Sequence, residues 1–480
     1  MNIHFETTGC RLNQIESESS AHSFVEQSFS VSLKPFTAKS LVESDTVLCV
    51  INTCAVTQKA EQKDRRMIRL VLEKCPKATI IVTGCYAQLS PEDIRNMDSR
   101  IAVLKGQIKS RLADVPVLLR KRLETKEFNA VDFALELNNG LFAKQSEKRG
   151  FSENAFKLST DSFIAHSRSS IKIQDGCNNN CTYCTINIAR GHSVSLDAQT
   201  VIDRVVQLEK SGHAEVVFTT VNIGQYRGKY GNDYIDFAHL LKLCLENTSK
   251  IAMRISSLYP EVVDEFFCEV IKNPRVCPHF HISVQSGSNS VLKAMARRYS
   301  AEDVVNACNL LKSAKNNPFL ACDIITGFPG ETAENFDETM ELCENCGFAW
   351  VHVFPYSVRP GTVAATLKNK VPQSVSGERA ARLSEWASES KKKYIKECTG
   401  KIFNAVLETV KKPSVFASGE GNVVYHAVTE NFLHCEIIEK DGFLAPKTGS
   451  SVKVRILGEY EAGTKKRRRN RMPCRNNLKN

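Results

Sequence analysis

Three thiols, Cys177, Cys181 and Cys184, stand in Lys172-Ile173-Gln174-Asp175-Gly176-Cys177-Asn178-Asn179-Asn180-Cys181-Thr182-Tyr183-Cys184, a C-x3-C-x2-C spacing directly after a β-type run. Three thiolates at that spacing can hold three corners of a 4Fe-4S cube. No fourth cysteine lies nearby, so the last iron stays open to an exogenous chelate, as in a catalytic rather than a closed structural site. A structural zinc knuckle would need a fourth Cys or His at short range, and the nearest, His192, lies beyond Gly191.

A second set is spread over the N-terminal part. Cys10 follows one predicted strand in Thr7-Thr8-Gly9-Cys10, Cys54 a second in Asn52-Thr53-Cys54, and Cys85 a third in Val82-Thr83-Gly84-Cys85. All three fall at C-terminal strand ends, where open α/β sheets build their sites, so they can converge on one point. Cys49 and Cys75 read as packing residues, and Cys343 and Cys346, on an amphipathic stretch, as core or surface thiols rather than a redox pair. The opening Met1-Asn2-Ile3-His4-Phe5-Glu6 has neither the basic nor the apolar region of a secretory signal, so the expected compartment is the reducing cytoplasm. There the 18 cysteines are metal ligands, catalytic groups or small hydrophobes rather than a disulfide framework.

Those thiols need a scaffold, and 480 residues suggest about three domains at roughly 150 residues each. A hydrophobic share of 42% and a charged share of 24% exclude a disordered or fibrous chain. No run approaches the ~18 apolar residues of a membrane-spanning helix. The predicted fold class is α/β. Residues 1–135 read as an open parallel α/β domain with a helical extension, 136–167 as a polar linker, and 168–395 as a partial (β/α) barrel. Residues 396–460 read as a small all-β barrel. Residues 461–480 read as a basic tail: Lys465, Lys466, Arg467, Arg468, Arg469, Arg471, Arg475 and Lys479 carry most of the net charge of +11, the footprint of a polyanion binder.

The Cys177-Cys181-Cys184 motif opening a βα barrel resembles the radical S-adenosylmethionine (SAM) superfamily, and Tyr183 matches the aromatic usual before the third cysteine. With the three N-terminal cysteine motifs and the terminal β barrel, the chain is similar to the methylthiotransferase family, whose members join an N-terminal cluster domain, a radical SAM domain and an RNA-binding TRAM domain. Ser283-Val284-Gln285-Ser286-Gly287, Met295-Ala296-Arg297-Arg298-Tyr299, Gly327-Phe328-Pro329-Gly330-Glu331 and Phe354-Pro355-Tyr356-Ser357 extend the match. The resemblance implies two 4Fe-4S clusters and SAM: Cys177, Cys181 and Cys184 for the radical-generating cluster, and Cys10, Cys54 and Cys85 for an auxiliary cluster that carries the inserted sulfur. Tyr183, Gln285, Arg297, Gly327, Gly330 and Glu331 become cofactor-binding candidates. Of these, the Gly327-to-Gly330 turn would let backbone approach the adenosine part, and Arg297 or Arg298 would pair with the methionyl carboxylate. Departures from the family pattern are His192-Ser193-Val194 after Arg190-Gly191, Tyr259 where Glu is usual, and Ser283-Val284 for a usual Pro-Leu.

Within that family, Arg11-Leu12-Asn13-Gln14-Ile15-Glu16 and Gln174-Asp175-Gly176-Cys177 resemble the threonylcarbamoyladenosine tRNA branch. The implied partners are a tRNA anticodon stem-loop, an electron donor such as flavodoxin or ferredoxin, and a sulfur donor. Competing readings are the isopentenyladenosine tRNA branch, a ribosomal-protein aspartate branch that would not need the basic tail, and a non-catalytic iron–sulfur RNA-binding regulator. On the C-terminal barrel, Tyr425, His426, Asn431, Phe432 and His434 are candidate RNA contacts.

Overall fold

A computed structural model describes residues 1–40, 45–125, 127–143, 150–160, 168–408, 425–438 and 447–458, together with the backbone of 472–476. Strands β1 (Asn2–Thr7), β2 (Ser30–Ser32), β3 (Thr46–Thr53), β4 (Thr79–Gly84) and β5 (Ile101–Val103) form a parallel sheet in the order β2-β1-β3-β4-β5. Strands β3 and β4 are almost wholly buried, as near-continuous β-branched runs covered on both faces must be. The helical extension folds back onto this sheet: Leu119 of helix Val115–Thr125 and Phe133 and Leu137 of helix Ala130–Asn139 share a core with Phe5, Phe24 and Ile81.

Residues 136–167 were expected to be a linker, and their described part is docked instead. Phe142 and Leu158 enter the same core, Glu153 pairs with Arg111 at 2.5 Å, and the Gly150 carbonyl accepts from the His192 N–H at 2.6 Å. The described part holds few apolar residues, and Phe142 and Leu158 are among those that this core buries.

The central domain contains β6 (Ser169–Lys172), the short ribbon of β7 (Gln174–Asp175) with β8 (Val194–Ser195), β9 (Glu215–Thr219), and the ribbon of β10 (Gly228–Tyr230) with β11 (Asp233–Ile235). It continues with β12 (Ala252–Ile255), β13 (Ser257–Leu258), β14 (His279–Gln285), β15 (Phe319–Thr326) and β16 (Trp350–Pro355). Parallel sheets β12-β9-β6 and β13-β14-β15-β16 meet where Ser256 alone separates β12 from β13. The strands therefore follow one another in an arc, and β6 and β16 do not pair, which makes a partial barrel. Cys343 and Cys346 lie fully buried in its helix layer as core thiols.

Strands β17 (Ile402–Leu407), β18 (Tyr425–Thr429), β19 (His434–Ile438), β20 (Ser451–Ile456) and β21 (Met472–Asn476) close a small barrel in the order β17-β18-β19-β21-β20. The backbone of Met472–Asn476 thus supplies a barrel strand where a basic tail was expected, because an open edge between β19 and β20 needs a partner for its N–H and C=O groups. Lys465 to Arg471 and Lys479 lie outside the described residues.

This barrel sits at the N-terminal ends of the central strands. Phe432 stacks on His279, the first residue of β14, at 4.1 Å, and lies under Arg254 and Arg168 at 5.4 and 5.6 Å. Arg254 donates to the carbonyls of Thr429 and Glu430, both at 3.1 Å, and pairs with Glu215, the first residue of β9, at 2.7 Å. Asn431 donates to the Tyr394 hydroxyl at 3.0 Å, and His426 is buried. Asn431, Phe432 and His426, expected to face RNA, instead face protein: the turn that carries the first two is the latch between barrel and domain. Tyr425 is half-buried and His434 packs against Phe432.

Candidate functional site

Cys10, Cys54 and Cys85 lie at the C-terminal ends of β1, β3 and β4, three neighbouring strands of one sheet. Gly9 has φ +88°, and a Cβ there would lie 2.6 Å from Cys54 Cβ and 2.9 Å from Cys54 Sγ, so only glycine lets the Cys10 loop close onto the Cys54 loop. Asn13 fastens the two loops by donating to the carbonyls of Thr8 and Thr53 at 2.9 and 3.0 Å. Asp64 does the same from helix Gln58–Lys74, accepting from the Thr8 hydroxyl at 2.7 Å and the Cys54 N–H at 2.9 Å. Burial pushes the Cys54 thiol up to about 12, with the charges of Cys85 and Cys10 adding to it, and burial likewise raises Cys85. The three sulfurs are close enough to feel one another's charge.

Cys177, Cys181 and Cys184 follow β7. Their sulfurs collect N–H donors: Asn179 N–H to Cys177 at 3.4 Å, Ile186 N–H to Cys184 at 3.4 Å, Arg297 Nη1 to Cys181 at 3.3 Å, and Asn222 Nδ2 to Cys177 at 3.9 Å. Burial opposes these donors, raising Cys177 and pushing Cys184 up to about 12. Such thiols become thiolates when a metal centre takes the place of the proton. Both sets therefore fit iron–sulfur ligation in chemistry: soft sulfur ligands, three to a set, with donors waiting at the sulfur in the second. Among the described residues no group of three or more His, Cys, Asp or Glu can hold a single metal ion, whereas a cube takes each thiolate at a separate corner.

A buried ion network joins the two sets. Glu16, on the helix that Cys10 opens, meets Lys109 at 2.5 Å, Lys172 at 2.9 Å and Arg190 at 3.2 Å. Asp175, two residues before Cys177, meets Lys172 at 2.7 Å and Arg190 at 2.9 Å. Arg190 then reaches Asn13 Oδ1 at 2.6 Å and Cys10 Sγ at 3.8 Å. Burial would push the Glu16 carboxyl up, but Lys109, Lys172 and Arg190 outweigh it and hold the group at about 2. Three cations face two carboxylates, which leaves positive charge toward the thiols. Sequence reasoning missed this network. Its one signal was Arg190 standing just before Gly191, close after the cysteine triplet.

The structure places the cofactor-binding candidates unevenly. Tyr183 packs edge-on to Phe328 at 6.5 Å, tying the triplet to the glycine-rich turn. Arg297 faces the triplet while Arg298 is exposed; besides Cys181, its guanidinium donates to the Tyr299 hydroxyl at 2.7 Å and the Ser283 carbonyl at 3.0 Å. Gln285, ending β14, has φ +77°, a conformation that costs a non-glycine residue about 1–3 kcal/mol and that clusters at functional sites. At Gly327 a Cβ would lie 2.4 Å from Ser376 Cβ, so its missing side chain admits the helix Gln373–Cys398. Glu331 is a brace, accepting from the Gly327 N–H at 2.9 Å and pairing with Arg379. Gly330 has nothing within 4 Å of its Cβ position and is open. His192 turns to Asn178 and Phe151.

Fold and site together define a radical SAM protein carrying a second, thiol-bearing α/β domain. Residues 171–343 match the family model of the radical SAM superfamily, and residues 2–106 match that of "Uncharacterized protein family UPF0004". The fold resembles that of the cobalamin-dependent S-adenosylmethionine radical enzyme OxsB, with a TM-score of 0.50 at 14% identity over 81% of this chain and 61% of that one. The threonylcarbamoyladenosine tRNA methylthiotransferase MtaB of Treponema pallidum is 41% identical, covering 95% of this chain and 98% of its own. That of Thermotoga maritima is 33% identical over 89% and 92%. The tRNA-2-methylthio-N(6)-dimethylallyladenosine synthase of Lachnoclostridium phytofermentans is 30% identical over 86% of each chain. The chain belongs to the radical SAM methylthiotransferase family. No helix among the described residues is long and apolar enough to cross a membrane.

Proposed function

We propose that this chain inserts a methylthio group at C2 of N6-threonylcarbamoyladenosine, the nucleoside just 3′ of the anticodon of tRNA. The observation that carries the reading is Arg190, which contacts Cys10 of one thiol set and Asp175 beside the other, so that two sets fit for iron–sulfur ligation flank one buried network. Cys177, Cys181 and Cys184 would hold one 4Fe-4S cluster and Cys10, Cys54 and Cys85 a second; with SAM bound they supply radical cleavage of an inert carbon–hydrogen bond and a methylated sulfur. The chain's residues do the positioning. Arg297 donates to the Cys181 sulfur, Asp64 and Asn13 fix the Cys10 and Cys54 loops, and Tyr183 ties the triplet to the Gly327 turn. Identity to relatives whose names give this nucleoside supports the substrate. The reading calls for a cytoplasmic setting, an electron donor of the flavodoxin or ferredoxin kind, and a sulfur donor.

Nucleoside mass spectrometry of bulk tRNA from cells with and without the gene tests it. Loss of 2-methylthio-N6-threonylcarbamoyladenosine with accumulation of its precursor is the expected result. Unchanged nucleosides, in a strain lacking a second enzyme of this kind, would overturn it.

A further inference from the structure

The helix Gln58–Lys74 starts four residues after Cys54 and is bolted to the rim of the central barrel: the Gln58 N–H donates to Ser357 Oγ at 3.0 Å, and Glu61 pairs with Arg359. Lys59, Lys63, Arg66 and Arg69 are exposed on it. Steps of four, three and three residues put them on one stripe. Among the described residues none of them forms an ion pair, and the stripe's one acid, Glu73, comes at its far end. Like charges three and four apart repel and destabilise a helix, so such a stripe is at ease only against an anion. The cations advance about 4.5–6 Å per step along the axis, a spacing that a nucleic-acid backbone can follow.

Beside the start of this stripe the surface turns apolar. Val56, Ile188 and Val363 are 55%, 45% and 60% exposed, and each adjoins the thiols in sequence or space. Val56 is two residues after Cys54, and Ile188 is four after Cys184. Val363 precedes Ala364, whose N–H is held by the Thr182 carbonyl at 2.8 Å, and the Cβ position of Gly361 lies 3.9 Å from Ile188 Cδ1. The C-terminal barrel, latched by Phe432 to the opposite ends of the strands, brings no cation to this mouth through that contact.

Building on the RNA-substrate reading, we propose that the Lys59-Lys63-Arg66-Arg69 stripe takes the phosphates of the RNA strand flanking the target base, while Val56, Ile188 and Val363 form the apolar lip over which that base enters. Phosphate contacts set register and carry the salt dependence; an unpaired loop base supplies the apolar face.

The test is fluorescence anisotropy of a labelled anticodon stem-loop against the full-length protein across a salt series, with thermal melting to check the fold. Replacing all four cations, Lys59→Gln, Lys63→Gln, Arg66→Gln and Arg69→Gln, should weaken binding and lower the slope of log Kd against log salt by about 3. Val363→Ser should weaken binding by a similar factor at low and high salt. The pair Lys242→Gln and Lys272→Gln, elsewhere on the surface, should leave binding as in wild type. An unchanged slope in the quadruple variant, or an equal loss in the control pair, overturns the stripe while the substrate reading stands. A wild-type chain that does not bind the stem-loop overturns both.

Discussion

Arg190 Nη2 lies 3.8 Å from Cys10 Sγ, though the two residues stand 180 positions apart and belong to different domains. The same guanidinium bonds Asp175, so one planar fork links the N-terminal thiol set to the segment that leads into Cys177. Breaking a buried ion pair by removing one partner costs about 3–5 kcal/mol. Arg190→Gln should lose that order of stability in urea unfolding and lower the iron retained after reconstitution. Arg190→Lys should recover part of the stability, since it restores the charge, but not the simultaneous contacts to Asn13 and Cys10 that need the fork.

Replacing Gly9 with alanine places a methyl group 2.6 Å from Cys54 Cβ at a φ that L residues avoid. Gly9→Ala should therefore spread the Cys10 and Cys54 loops. Iron and sulfide analysis should show about half the wild-type content, because the Cys177 set is untouched by the change.

Division of labour between the sets can be read directly. Cys181→Ala should abolish reductive cleavage of SAM, measured as release of 5′-deoxyadenosine. Cys54→Ala should retain that cleavage and stop methylthiolation; normal methylthiolation in this variant would remove the auxiliary role from the N-terminal set.

At the seam with the C-terminal barrel, Arg254→Ala leaves the buried Glu215 carboxylate with only the longer contact to Arg168 at 3.6 Å, and about 3 kcal/mol should be lost. Limited proteolysis should then release the barrel sooner than in wild type. Pairing Arg254→Met with Glu215→Gln should recover part of the loss, since that pair is removed as a unit while Arg168 keeps Glu408 at 3.9 Å.

The same seam carries a pH dependence. Burial, with Arg254, His281, Arg168 and His434 nearby, holds the His279 imidazole well below its usual range. Below pH of about 6.5 the unfolded chain binds a proton there that the folded chain refuses. More protons on the unfolded state mean that stability falls as pH drops, by at most about 1.4 kcal/mol per unit. His279→Gln should flatten the unfolding free energy between pH 6.5 and 5 relative to wild type.

All six candidate ligands could be picked out of the sequence because their signals are local. The C-x3-C-x2-C spacing is a property of eight consecutive residues, and Cys10, Cys54 and Cys85 each end an apolar β-type run whose pattern is visible without a partner. Helix–strand alternation announced both α/β domains for the same reason. The roles of Gly327, Glu331 and Phe432 were hidden: each depends on a neighbour far along the chain, Ser376, Arg379 and His279 respectively, and no local pattern records which neighbour arrives.

By itself, then, the sequence determined the family and singled out the six candidate ligands. Tertiary structure decided that the 136–167 stretch is partly core, that Met472–Asn476 completes a barrel, and that Glu16, Lys109, Lys172, Asp175 and Arg190 form one ion network between the two thiol sets. A lone buried charge is prohibitively costly, so these five residues are tolerable only together. They come from both domains, and their meeting is a property of the docked domains, not of any segment of the chain.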